Sequence, residues 1–167
     1  MTPAANDGWR SQHLGRLLGH AMRRFDARVL DLMSRDEAAP LALANLAARQ
    51  KIGASHVHIV RHLALAGERP RDLARAAGVS KQAAGQIVAQ CAAWGLITLE
   101  KDAHDARARI ARFTPAGLDW LAAFERAVRR AEAEFTASTG EAVATVVRLG
   151  LEAYAGGWDA WSVTQGP

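Results

Sequence analysis

The stretch from Arg69 to Trp94, RPRDLARAAGVSKQAAGQIVAQCAAW, constrains this chain most, because it reads as two short helices joined by one glycine turn. Leu73, Ala74 and Ala77 give the first helix a small apolar face. Gly78 supplies a residue able to take positive φ, and Ser80 supplies the side-chain oxygen that starts a second helix. That helix is predicted to run to about Trp94, where Gly95 stops it. Spaced at the helical period, Ala84, Ile87, Val88 and Cys91 share one face, and Gln82, Gly85, Gln86 and Ala89 share the opposite one. The pattern is a helix-turn-helix whose second helix turns amides to solvent.

Such a face suits the major groove of DNA. A Gln amide donates and accepts at once, which matches the N6/N7 pair of adenine, and Gly85 leaves nothing to hold the backbone away. Lys81 and Gln90 flank the face where phosphates would lie. Directly after the helix, Ile97 to Lys101 alternates apolar and polar residues, as Ile110 to Phe113 does more weakly. The two runs predict antiparallel strands around the loop Asp102 to Arg109, a hairpin in the position of a wing. In that loop Asp105 precedes Arg107 by two residues, a distance at which the carboxylate can hold the guanidinium in one pose for a narrow minor groove.

The order RPRDLARAAGVSKQAAGQIV, WGLI, DAHDARAR and FTPAG closely resembles the DNA-binding core of the MarR (multiple antibiotic resistance regulator) transcription factors, over about residues 54 to 118. The resemblance implies a homodimer of winged helix-turn-helix subunits binding double-stranded DNA at a palindromic operator, more often as a repressor. It also implies that the helix from Ser80 to Trp94 enters the major groove and that Asp105 orients Arg107 at the wing tip. The expected DNA-contacting set is Arg71, Ser80, Lys81, Gln82, Gly85, Gln86, Gln90, Asp105, Arg107 and Arg109. One departure from the family pattern stands at Arg69, where a Ser or Thr cap is expected before Pro70. The segment from Ser34 to Gly53 carries no motif that aligns.

Composition agrees. The chain has 167 residues, half of them hydrophobic, enough to bury a core. Residues 61 to 112 carry a net charge of +4, against −3 for residues 113 to 167. A basic middle suits phosphate contact and predicts affinity that falls steeply with salt. The single cysteine excludes an internal disulfide, and no apolar run approaches a membrane span, so a cytosolic protein without membrane contact is expected.

The expected fold is mainly α: a winged helix-turn-helix at 54–114 with a two-stranded β-wing, between dimerisation helices at 1–53 and 115–167. An apolar stripe from Leu14 through Val29 and Leu32 predicts one long helix over about Trp9 to Met33. Leu41 to Arg49 reads as a short helix. Ser55 is expected to cap another running to Ala66, Pro115 to open one ending near Thr136, and a last helix to span Glu141 to Tyr154. These long amphipathic helices carry more apolar surface than one winged domain covers, which argues for a second copy. Tyr154, Trp158 and Trp161, in a short tail beside Gly156 and Gly157, read either as interface anchors or as caps on their own subunit.

The family resemblance further implies a cleft for a small aromatic or phenolic effector, with Phe25, His56, Ile59, Trp120 and Phe124 as its candidate lining and simple core packing as the competing reading. His58 and His62, four apart, have the spacing of a metal pair and support an alternative metal-sensing regulator, although no Cys or carboxylate partner accompanies them and no metal or other cofactor is expected. Cys91 reads as a core residue rather than a redox sensor. No phosphate loop, nucleophile elbow or HExxH pair is present, so the chain is not expected to be an enzyme. The main competitor to DNA binding is a winged-helix module that docks another protein.

Overall fold

The computed structural model describes residues 8–39, 52–102, 105 and 107–163, with the backbone alone at Ser11 and over 157–163. The elements are α1 (Gly8–Gln12), α2 (Leu14–Ser34), α3 (Ala54–Val60), α4 (Pro70–Ala76), α5 (Lys81–Ala93), β1 (Ile97–Lys101), β2 (Arg109–Phe113), α6 (Pro115–Thr139) and α7 (Glu141–Val163). The chain forms two compact units that divide between Ala127 and Val128, within α6. The architecture is the expected mainly helical, winged one. The helix expected at Leu41 to Arg49 lies outside the described residues.

In the first unit the long N-terminal helix is in fact two. His13 takes an extended backbone (ψ 148°), and its ring Nδ1 accepts the N–H of Arg16 at 3.2 Å, so it caps α2 and separates it from α1. The apolar stripe runs straight through this break, which is why periodicity does not show it. Toward its C-terminal end α2 buries Val29, Met33 and Asp26, and the Asp26 carboxylate pairs with Arg61 at 2.7 Å just after α3.

Ser55 does not cap α3. Gly53 stands at the cap, and its own N–H donates to Nδ1 of His56 at 3.1 Å. The helix then ends at Val60, six residues before the expected Ala66, and the chain turns through Gly67 at φ +88°. A Cβ at Gly67 would lie 3.0 Å or less from Arg112, Ile110 and the carbonyl of Ala111. That close approach is needed because Glu68 pairs with Ala111, its N–H donating at 3.0 Å and its carbonyl accepting at 2.8 Å. The backbone before α4 therefore forms an extra edge on the wing, and a helix cannot extend into it.

The helix-turn-helix follows the sequence closely. Pro70 occupies the first turn of α4, Gly78 lies at φ +64°, Ser80 Oγ accepts the N–H of Ala83 at 3.1 Å, and Gly95 ends α5 at φ +74°. β1 and β2 pair antiparallel in the register Ile97↔Phe113 to Lys101↔Arg109. The core beneath them is built from Val57, Val60, Leu73, Ala74, Ala77, Ala84, Val88, Cys91, Leu96, Ile97, Ala111 and Trp120. Burial of each of the larger aliphatic side chains contributes about 1.5–3 kcal/mol.

Thr114 closes the unit. Its Oγ1 accepts the N–H of Gly117 at 2.9 Å and donates to the carbonyl of Gly95 at 2.6 Å, while its own N–H donates to Leu96 at 3.1 Å. Gly117 is obligatory here: a Cβ would lie 1.9 Å from the Leu96 carbonyl oxygen. The Thr-Pro-x-Gly sequence is thus a joint between helix and hairpin.

In the second unit, α6 and α7 meet at Gly140, φ +89°, and are bridged by Glu132 and Arg148 at 3.6 Å. α7 continues past the expected end at Tyr154 through Gly156 and Gly157, so these glycines do not bound a tail. Each costs about 1 kcal/mol in a helix interior, too little to end one. Val143, Val146, Val147, Leu149, Leu151 and Tyr154 are all exposed on α7. The side chains of Trp158 and Trp161 lie outside the described residues. No helix among the described residues is long and apolar enough to cross a membrane.

Candidate nucleic-acid interface

The exposed side of α5 is assembled by burial of the other. Ala84, Val88 and Cys91 are at most 2% exposed, with Ile87 half-buried, and this anchoring leaves Lys81, Gln82, Ala83, Gly85, Gln86, Ala89 and Gln90 in solvent. Lys81, Gln82 and Gln86 make no side-chain hydrogen bond or ion pair among the described residues, so their polar ends are available to a partner. Gly85 is not required by packing, since a Cβ there would meet nothing within 4 Å. A helix of 13 residues spans about 20 Å, and its diameter matches a major groove about 12 Å wide.

Gln90 differs from its neighbours. Its Oε1 lies 2.8 Å from Nε2 of His56, whose other ring nitrogen accepts from Gly53. That second contact places the proton of the neutral ring on Nε2, which donates to Gln90 Oε1. Trp94 packs against the same imidazole at 4.8 Å between centroids. His56, a candidate for the effector cleft, is thus joined to α5.

The wing is held by its own backbone. The N–H of Asp102 donates to Ala108 at 3.1 Å, and that of Ala108 donates to Asp105 at 2.8 Å. The Asp105 carboxylate accepts the main-chain N–H of Arg107 at 3.0 Å, so it fixes the turn rather than the guanidinium. Arg107 and Arg109 are exposed, and the Arg107 guanidinium has no carboxylate partner among the described residues.

Arg69 is the residue that sequence reasoning passed over. It makes no side-chain cap on α4; instead its Nε and Nη2 reach Asp102 Oδ2 at 2.6 and 2.5 Å. Its absence of a cap was visible in the sequence, but a partner 33 residues away was not. The Asp102 side chain is 4% exposed, and removing one member of so buried a pair costs about 3–5 kcal/mol. Arg69, Arg71, Arg107 and Arg109 together with Asp105 line a groove of about 310 Å³ beside the wing. A second hollow, about 330 Å³, lies at the start of α5 and is lined by Arg71, Arg75 and Lys81. Both grooves carry an excess of positive charge, and they share Arg71.

The effector candidates divide. Trp120 is buried and stacks on Phe124, the rings 5.7 Å apart and nearly parallel; its indole N–H is buried with no acceptor among the described residues. Ile59 is 3% exposed and packs in the core, while Phe25 is half-buried. The histidine pair is engaged elsewhere: His58 Nε2 lies 2.7 Å from the Ala77 carbonyl at the end of α4 and its ring meets His62 edge-on at 5.3 Å. Among the described residues no group of three metal-ligating side chains surrounds them. Burial, followed by the charges of His58 and Arg61, pulls the His62 pKa below 6.5. Burial pushes the Cys91 thiol up to about 12, which keeps it protonated and unreactive at neutral pH.

Residues 50–108 match the MarR family model. No curated protein matches the sequence. Among solved structures, the chain is similar to the transcriptional repressor CouR bound to a 23-mer DNA duplex, at 18% identity and a TM-score of 0.67, over 91% of this chain and 99% of that one. It is similar to a mutant of MarR from E. coli at 17% identity and 0.63, covering 86% and 97%. A MarR family protein of Mycobacterium tuberculosis in complex with p-aminosalicylic acid matches at 19% identity and 0.59, covering 86% and 99%. The chain therefore has the fold of MarR-family transcriptional regulators, and the family's sequence pattern lies where the helix-turn-helix and most of the wing are.

Proposed function

We propose that this chain, MarR-like in its fold and over residues 50–108, is a DNA-binding transcriptional regulator that reads a palindromic operator as a homodimer and acts as a ligand-responsive repressor. The observation that carries the reading is the α5 face: two glutamines, a lysine and a glycine exposed together, none required by the fold, on a unit whose α4 and wing line two adjoining arginine-bearing grooves that share Arg71. In this reading Gln82, Gly85 and Gln86 meet base edges in the major groove. Arg71, Ser80, Lys81 and Gln90 contact phosphates, and Arg107 and Arg109 enter the adjacent minor groove from a turn held by Asp105.

The dimer follows from surface that one subunit leaves bare. Trp9, Leu14, Leu17 and Met22 at the N-terminal end, and Val143, Val146, Leu149 and Tyr154 on α7, are each at least half exposed. A two-fold pair of recognition helices then selects an inverted repeat. The flanking regions 1–53 and 115–167 dimerise, and 54–114 binds DNA. For the effector, the buried Trp120 N–H has no acceptor among the described residues, and a small aromatic carboxylate or phenol would supply one beside Phe124, with Phe25 a further candidate for the lining.

A gel-shift titration on the region upstream of its own gene, repeated over a range of salt, tests the reading. Arg107→Ala is expected to weaken binding to all sequences alike. Gln82→Ala and Gln86→Ala should each change base preference by about 1–3 kcal/mol. Absence of any preference over random duplex at low salt would favour a protein-docking winged helix instead.

A further inference from the structure

Resting on that DNA-binding reading, we infer that Arg69 and Asp102 form a positioning pair that sets where the wing stands beside the recognition helix, so that Arg69 acts on DNA through Arg107. Arg69 stands at the start of α4 and makes no side-chain bond to that helix. Its guanidinium crosses to Asp102, with Nε at 2.6 Å and Nη2 at 2.5 Å from one carboxylate oxygen. Asp102 is the first residue after β1, and its N–H closes the loop on Ala108, immediately after Arg107. The start of the helix-turn-helix and the base of the wing loop are therefore joined by charge-assisted bonds.

The hairpin is also held to this region by the Glu68–Ala111 bridge, by Arg112 donating to the Ala66 carbonyl and by packing of β1 on α5 and β2 on α4; at the wing loop the join is the Arg69–Asp102 pair. The hairpin has two strands and one further bridge, Glu68 to Ala111, directly before Arg69, and a short two-stranded ribbon twists readily. α4 packs on α5, so a continuous path runs from the base-reading face through α4 and Arg69 to Asp102 and the arginine beyond it. The Asp102 carboxylate is nearly closed to water, while the Arg69 side chain keeps 24% of its surface exposed. A guanidinium held this way is committed to geometry and contributes to DNA affinity indirectly, by fixing the entry angle of Arg107.

The test measures binding of a labelled duplex from the upstream region of its own gene by anisotropy over a salt series. The proteins are the wild type, Arg107→Ala, the paired variant Arg69→Met with Asp102→Asn, and that pair combined with Arg107→Ala. In the wild-type background, Arg107→Ala is expected to lower the slope of log Kd against log salt by about one per wing. In the paired background the same substitution should change the slope by less than half as much and the affinity by about twofold at most. The full Arg107 increment in a paired variant that still melts cooperatively overturns the inference. If the paired variant does not fold, Arg69→Lys decides, since it keeps Asp102 neutralised but loses the planar fork: a reduced Arg107 increment supports positioning and an unchanged one refutes it. Failure of the DNA-binding reading is separate and shows as wild-type protein that binds no duplex.

Discussion

Gly85 and Gly117 lack side chains for opposite reasons. At Gly117 the Leu96 carbonyl occupies the position a Cβ needs, whereas at Gly85 the space is empty and solvent-facing. Gly117→Ala is expected to destabilise the fold by at least about 2 kcal/mol, because the obstruction is backbone and cannot rotate away. Gly85→Ala should stabilise α5 by up to about 1 kcal/mol while weakening DNA binding, since only the partner objects to the methyl group. Denaturant melts paired with gel shifts separate the two, and a Gly85→Ala protein that gained stability and lost no affinity would remove that residue from the interface. The two glycines look alike in sequence. The one at 117 is marked by the Thr-Pro motif around it, and its true constraint, a carbonyl 21 residues earlier, belongs to the packing.

At the scale of elements, α4, α5 and the hairpin were legible because each is bounded by local chemistry: Pro70, Gly78, Ser80 and Gly95 all act within a turn of where they stand. α2 and α3 were misplaced at their starts because histidines cap them, His13 directly and His56 from inside the helix, and a ring nitrogen is not a residue that patterns of Ser, Thr and Asp reveal. α3 also ended early because its continuation is claimed by the β-bridge at Glu68, a non-local demand. His62, two residues past the end of α3, gives this region a pH response. His62 has a pKa below 6.5 in the folded protein and near 6.5 when unfolded, so the unfolded chain binds more protons in that window. Stability is then full above about pH 6.5 and falls as pH drops through the folded value. Melting temperature measured from pH 7.5 down to pH 5 should decline, and His62→Gln should flatten the part of the decline due to this ring; an unchanged profile would assign the effect to other groups.

For the whole molecule, the proposed dimer rests on apolar side chains exposed among the described residues, those of α7 above all. Val146, 69% exposed in the second turn of α7, sits among five other exposed apolar residues on that helix. Val146→Glu with Val147→Glu is expected to yield a folded monomer by sedimentation, with a melting temperature that no longer rises with protein concentration and with DNA affinity reduced more than tenfold. A variant that stayed dimeric would move the interface away from α7.

The sequence alone determined the fold class, the second helix of the helix-turn-helix and its two faces, the wing, and the identity of the residues exposed on both. It could do so because caps, turns and helical period are set by neighbours within about four residues. Tertiary structure alone decided that Arg69 clasps Asp102, that His56 bonds Gln90, and that Asp105 holds a backbone N–H instead of a guanidinium. The two longer-range contacts pair side chains 34 and 33 residues apart, a separation at which spacing carries no information, and the third turns on the conformation of a single loop.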